Sequence, residues 1–105
     1  MCDDIKSLTG NAGLENEIFN GYTCDLLSWV MAKGKEGTVW ITVQNHLNVI
    51  AVASMIDFAC VILPENISVE KSVLEKAAEE NIPVLSSKLT AFELCIRLNG
   101  MGILG

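Results

Sequence analysis

Short apolar stretches, separated by polar turns, predict the strands of this chain. Residues 38–43 give the clearest signal, because alternate side chains face opposite ways and both faces are largely apolar. Residues 58–63 form a continuous apolar run, as in a buried parallel strand, and residues 83–86 predict a third short strand. Residues 17–22 alternate weakly and predict another strand. Residues 5–8 are compatible with a short strand or a frayed helix.

Helical periodicity appears in four places between these strands. Residues 25–33 predict a first helix with Asp25 as its cap. The segment Leu47–Ile56 is apolar almost all round, so it belongs either at the centre of the core or against a second subunit. An amphipathic surface helix follows, with Ser68 as its predicted cap. Thr90 and Glu93 have the spacing of a capping box for the last helix.

The order of these elements predicts the fold class. From residue 38 onward strands and helices alternate, which indicates an α/β fold with a mostly parallel sheet and right-handed crossovers. The length of 105 residues fits one domain spanning residues 1–105.

Charge and cysteine content narrow the function classes. Lys and Arg number 7 against 13 Asp and Glu, a net charge of −6, which disfavours binding to nucleic acid. The four cysteines are widely spaced without a CxxC pair, so neither a metal site nor a disulfide framework is expected. Reduced thiols and an acidic start without signal-peptide character predict a cytoplasmic protein.

One stretch, residues 37–56, contains no Asp, Glu, Lys or Arg and is long enough to span a bilayer. Four polar residues stand at its centre: Gln44, Asn45, His46 and Asn48. Burying all four in lipid would cost several kcal/mol. We therefore predict a strand, a turn and a helix, and no membrane partner.

Polar side chains at the carboxyl ends of the strands form the candidate ligand site. In a parallel sheet these ends meet at one edge, where ligands bind. The predicted site residues are Gly21, Tyr22, Asp25, Ser28, Thr42, Gln44, Asn45, His46, Asn48, Ser86 and Ser87. Helix N-termini that follow the strands would add N–H donors. A neutral-to-anionic polar metabolite would suit such an edge.

The same residues also have an ordinary structural interpretation. Asp25 with Ser28, and the four polar residues that follow residue 43, could serve only as helix caps and turns. His46 is the single histidine, and it has neither a metal-ligand cluster nor an evident nucleophile beside it. The sequence contains no GxxxxGK[ST] loop for phosphoryl transfer, so a kinase activity is not expected.

Two signature segments and two shorter ones carry a resemblance to a known family. Residues 21–31 (GYTCDLLSWVM) and 40–53 (WITVQNHLNVIAVA) resemble two signatures of small stand-alone DRTGG-type domains, and residues 82–85 and 91–94 resemble the end of that family. At the position of the DRTGG motif itself this chain has EIFNG, which keeps only the last glycine. The resemblance implies a three-layer α/β/α fold like that of the N-terminal domain of Mur ligases.

The resemblance also implies a regulatory role. Related domains stand beside catalytic domains in HPr kinase/phosphorylase, in some phosphotransacetylases and in some pyrophosphatases with CBS domains. We expect a non-catalytic module without cofactor or metal that senses a small polar metabolite or docks on a partner enzyme, as a homodimer formed through Leu47–Ile56. Two alternatives stay open: a subunit that completes a partner enzyme's site, and a dimerisation scaffold.

Overall fold

The computed structural model of the protein describes residues 4–103. Its strands are β1 Ile5–Ser7, β2 Asn20–Thr23, β3 Thr38–Ile41, β4 Cys60–Leu63 and β5 Val84–Ser87. Its helices are α1 Leu27–Lys33, α2 Leu47–Ile56, α3 Lys71–Glu79 and α4 Ala91–Gly100. The predicted strands and helices are thus all present, with shorter strands than expected.

The five strands form one sheet in the order β1-β5-β4-β3-β2. Strands β2 to β5 are parallel, and β1 pairs antiparallel with β5. Residues 5–8 therefore contain a strand, not a frayed helix. The short edge strand β1 closes one side of the sheet, and β2 closes the other.

Helices cover both faces of the sheet, which confirms the three-layer α/β/α architecture. On one face α1, α2 and α3 pack against Trp40, Val61 and Val84, and we call this the three-helix face. On the other face α4 packs alone, through Leu94 and Leu98. Strands β3, β4 and β5 are buried along their whole length, because helices cover both faces of the sheet. Their side chains are mostly apolar, and the polar ones, Thr38, Ser86 and Ser87, lie at strand ends.

One predicted helix cap is present in the structure, and two others are wrong. The Thr90 and Glu93 capping box is present at α4, as predicted. Asp25 does not cap α1: the N-cap residue is Leu26, and it makes no side-chain capping hydrogen bond. Ser68 does not cap α3, which begins after Glu70. Both polar residues lie in the preceding loops, where their groups bond elsewhere.

The uncharged stretch at residues 37–56 consists of β3, a loop and the ten-residue helix α2. Within residues 4–103, no helix has both the length and the apolar character needed to cross a bilayer. The four polar residues at the centre of the stretch lie in the loop and the first turn of α2. This arrangement agrees with the interpretation from the sequence.

Candidate ligand site at the carboxyl edge of the sheet

The loops that follow β3, β4 and β5 meet at one edge of the sheet, because the three strands are parallel and in register. The loop after β4 is tied to the end of β5: the Glu65 N–H donates to the Leu89 carbonyl at 2.9 Å, and the Asn66 N–H donates to the Ser87 carbonyl at 2.8 Å. This edge is where ligands of parallel α/β sheets bind.

Asp25 organises the β2 side of this edge. Its carboxylate accepts a hydrogen bond from the Thr42 hydroxyl at 2.8 Å and another from the Val43 N–H at 2.9 Å. The Gln44 side chain donates to the Asp25 carbonyl at 3.1 Å, and the Gln44 N–H donates to the Thr42 hydroxyl at 3.1 Å. Asp25, Thr42 and Gln44 therefore bond mainly to one another and fix the loop after β3.

Asn45 links the loop after β3 to the loop after β4. Its side-chain amide donates to the Ser68 carbonyl at 2.7 Å, across 23 residues of sequence. This hydrogen bond holds the start of α2 beside the start of α3. The two helices also pack against each other along the three-helix face.

A cleft of about 340 Å³ lies between these two helix starts, and we call it the edge cleft. It is lined by Asn45, His46, Leu47, Ser68, Glu70, Ser72 and Val73. His46 is exposed and makes no capping hydrogen bond through its side chain. Amide, imidazole, hydroxyl and carboxylate groups thus border a single opening.

The two helices present backbone donors toward this opening. The first N–H groups of any α-helix lack an intrahelical acceptor. Neither His46 at the N-cap of α2 nor Glu70 at the N-cap of α3 makes a side-chain capping hydrogen bond. Both helix dipoles therefore place partial positive charge at the cleft, while the Glu70 carboxylate brings one negative charge.

The structure brings only part of the predicted site together. Asn45 and His46 line the edge cleft, and Thr42 with Gln44 supports the loop behind it. Asn48 is exposed on α2 and faces the groove between α2 and α3, and Ser28 is exposed in the first turn of α1.

Four other predicted residues lie away from the cleft. Gly21 lies inside β2, where it pairs with Val39 of β3. Tyr22 packs against the core of the three-helix face. Ser86 and Ser87 end β5 but are buried, and the Ser87 hydroxyl accepts a hydrogen bond from the Leu89 N–H at 3.1 Å.

Three polar residues of the cleft did not stand out in the sequence as ligand contacts. Ser68 was predicted as a cap, and Glu70 and Ser72 belong to a helix whose polar side looked like ordinary solvated surface. Their position five to nine residues after Leu63, the last residue of β4, was the available signal, since helix starts that follow parallel strands gather at one edge.

A sequence model of the DRTGG domain matches residues 24–101, most of the chain. The chain belongs to the DRTGG domain family. No curated protein matches this DRTGG domain in sequence. The match begins after residues 17–21, where the motif that names the family would stand.

A solved structure with the same fold comes from Clostridium perfringens. It contains the CBS and DRTGG domains of the regulatory region of a pyrophosphatase, in complex with the activator diadenosine tetraphosphate. The TM-score is 0.62 at 16% sequence identity. The match covers 72% of this DRTGG domain and 33% of the pyrophosphatase chain, so this chain spans about a third of that structure.

Proposed function

We propose that this DRTGG domain is a non-catalytic, cytoplasmic regulatory module that binds a small polar metabolite in the edge cleft. The observation that carries the proposal is the juxtaposition of two helix N-termini without side-chain caps around one polar opening. Backbone donors at such a place bind acceptor groups of a ligand. The regulatory role is supported by the family, since the similar pyrophosphatase region is a regulatory one.

The groups around the cleft indicate the class of ligand. N–H groups and the Asn45 amide donate hydrogen bonds, whereas the Glu70 carboxylate accepts them and repels a dense negative charge. A neutral-to-anionic metabolite that also carries hydroxyl or amine donors can bond both to the N–H donors and to the Glu70 carboxylate. Each uncharged hydrogen bond contributes about 0.5–1.5 kcal/mol, so a few of them give affinities of roughly micromolar order.

The non-catalytic part of the proposal is supported by the similar pyrophosphatase region, which is a regulatory one. His46 is the one histidine of the sequence, and no cysteine or serine nucleophile is bonded to it in residues 4–103. In the same range, no three His, Cys, Asp or Glu side chains converge as metal ligands.

Calorimetric titration of two matched variants tests the proposal. The probes are AMP, ATP and diadenosine tetraphosphate, together with any small molecule that mass spectrometry finds released from the purified protein. His46→Ala should weaken binding about tenfold with little change in melting temperature, because this exposed side chain makes no capping bond. Asn48→Ala, on the same helix but outside the cleft, should bind as the wild type does. The proposal is contradicted if both variants lose the same amount of binding affinity, or if no probe binds the wild type.

A homodimerisation scaffold is the second candidate, and exposed apolar residues on α2 favour it. Leu47, Ala51 and Met55 lie at intervals of four residues on the outer side of this helix, and Met55 is 67% exposed. The inner side of α2, including Val52, is buried in the domain's own core. Met55→Glu should leave the fold intact and produce monomers. If the wild type already sediments as a monomer at high micromolar concentration, the scaffold is rejected.

A further inference from the structure

The face of the sheet that α4 covers contains an unfilled apolar cavity of about 240 Å³. Its floor is formed by Val39, Ile62 and Leu85, from three neighbouring strands, and one wall by Leu98 of α4. Cys60 and Pro83 place it at the amino-terminal ends of β4 and β5. It therefore lies at the end of the sheet opposite to the edge cleft.

The sequence of α4 explains why this space stays open. A single helix covers the face, and only Leu94 and Leu98 of that helix are buried. After Leu98, Met101 and Ile103 line the cavity, whereas Asn99 and the glycines at positions 100 and 102 place no apolar side chain in it. The loop at residues 8–18 passes the other side of the cavity with Gly13 facing it. Among residues 4–103, the large apolar side chains near this face line the cavity, and none occupies it.

The lining favours an apolar occupant over water. Water in a protein cavity needs two to four polar partners, and a dry apolar cavity of about 150 Å³ already binds benzene. The Asn16 side-chain amide, a polar group at this cavity, already donates to the Ala59 and Asn81 carbonyls at 3.2 and 3.1 Å. The Cys60 thiol is buried and uncharged.

The mouth of the cavity gives access from solvent and is itself apolar. Leu14, Ile18 and Met101 stand at this mouth, and each is 44–47% exposed. Exposed apolar side chains around an apolar recess are typical of a binding site. The volume fits about one aromatic ring with a short substituent, or an aliphatic group of the same size.

We propose that this cavity is a second binding site, which takes a small uncharged apolar molecule of about ten non-hydrogen atoms. The site is independent of the edge cleft, in position and in ligand chemistry. A charged isostere is excluded, because the cavity offers no counter-charge and burial of an unpaired charge is costly.

The test uses indole and toluene as probes and benzoate as the charged control. Methyl resonances are followed by NMR in the full chain. Saturable shifts are expected at Val39, Ile62, Leu85 and Leu98 with a Kd of about 1 mM or below, and none with benzoate. Cys60→Met, which extends a side chain into the cavity, should weaken indole binding at least about tenfold. Cys95→Met, the same change at an exposed position of α4, should bind as the wild type does.

Three results would overturn the inference. The first is indole binding that is unchanged in Cys60→Met, or in Val39→Leu where the cysteine variant fails to fold. The second is a set of non-saturating shifts spread over all exposed apolar side chains. The third is a set of cavity shifts that appear with protein concentration alone, since a second copy of the chain would then be the occupant.

Discussion

Replacing Asp25 by alanine tests how the edge cleft is held in place. The variant removes the acceptor of two hydrogen bonds, from the Thr42 hydroxyl and from the Val43 N–H. Thr42 is 1% exposed, so its hydroxyl would lose a partner where water is scarce, at a cost of about 1–3 kcal/mol. The Val43 N–H is accessible to water, so the loss of its hydrogen bond costs less. We expect Asp25→Ala to lower the free energy of unfolding by about 2–3 kcal/mol.

A double-mutant cycle in urea separates this contact from other effects of the substitution. Thr42→Val removes the hydroxyl that the carboxylate accepts, so Asp25→Ala should cost about 1–2 kcal/mol less in that background than in the wild type. Asp25→Asn, which keeps one acceptor oxygen, should lose less stability than Asp25→Ala. If the two single substitutions are additive within about 0.5 kcal/mol, the carboxylate does not organise this loop.

Three further predictions concern the fold. Gly13→Ala should destabilise more than Gly10→Ala in thermal unfolding: both residues have positive φ, but a Cβ at Gly13 would clash with the Asn81 carbonyl oxygen, whereas a Cβ at Gly10 would have nothing within 4 Å. Burial raises the pKa of the Cys60 thiol from 9.0 to about 12. The stability that this neutral thiol contributes is present below pH 9 and is lost as pH rises toward 12, so wild type and Cys60→Ala should converge in urea unfolding above pH 9. Val52→Glu, which puts a charge into the core, should lower unfolding stability by more than about 3 kcal/mol, and a folded variant would contradict the packing of α2.

The sequence predicted the elements whose signal is local. Helix α2 has the predicted bounds, and the capping box of α4 forms as its spacing indicates. Strand β4 was recognised because an apolar run of strand length is buried on both faces. These features depend on periodicity and on neighbours a few residues apart, which a single sequence displays directly.

The misplaced caps show what local patterns leave out. Asp25 has the residue type and position of an N-cap, yet its carboxylate bonds to Thr42 and Val43, about 18 residues away in sequence. Ser68 likewise contributes its carbonyl to Asn45 from another loop. A tertiary hydrogen bond can replace a local cap, and the sequence does not show which of the two wins.

The sequence predicted that the candidate site lies at the carboxyl edge of the sheet, but it did not predict which residues line the edge cleft. Parallel strand order was enough to gather the loops after β3, β4 and β5. Only the packing of α2 beside α3 decided that Glu70 and Ser72 join His46, while Ser86 and Ser87 stay buried. Whether a side chain at the end of a central strand is buried depends on the loops that pack over it. Those loops are distant in sequence, so the sequence does not show the contact.

The most direct test of the regulatory proposal is backbone amide NMR of the isotopically labelled domain, titrated with diadenosine tetraphosphate, AMP and the small molecules released from the purified protein. If the edge cleft binds a polar metabolite, the largest saturable shifts belong to the amides at the starts of α2 and α3, at Leu47, Asn48, Lys71 and Ser72, and His46→Ala reduces them. If these amides stay unchanged while binding occurs elsewhere, or if no probe shifts them, the edge cleft is not the ligand site of this domain.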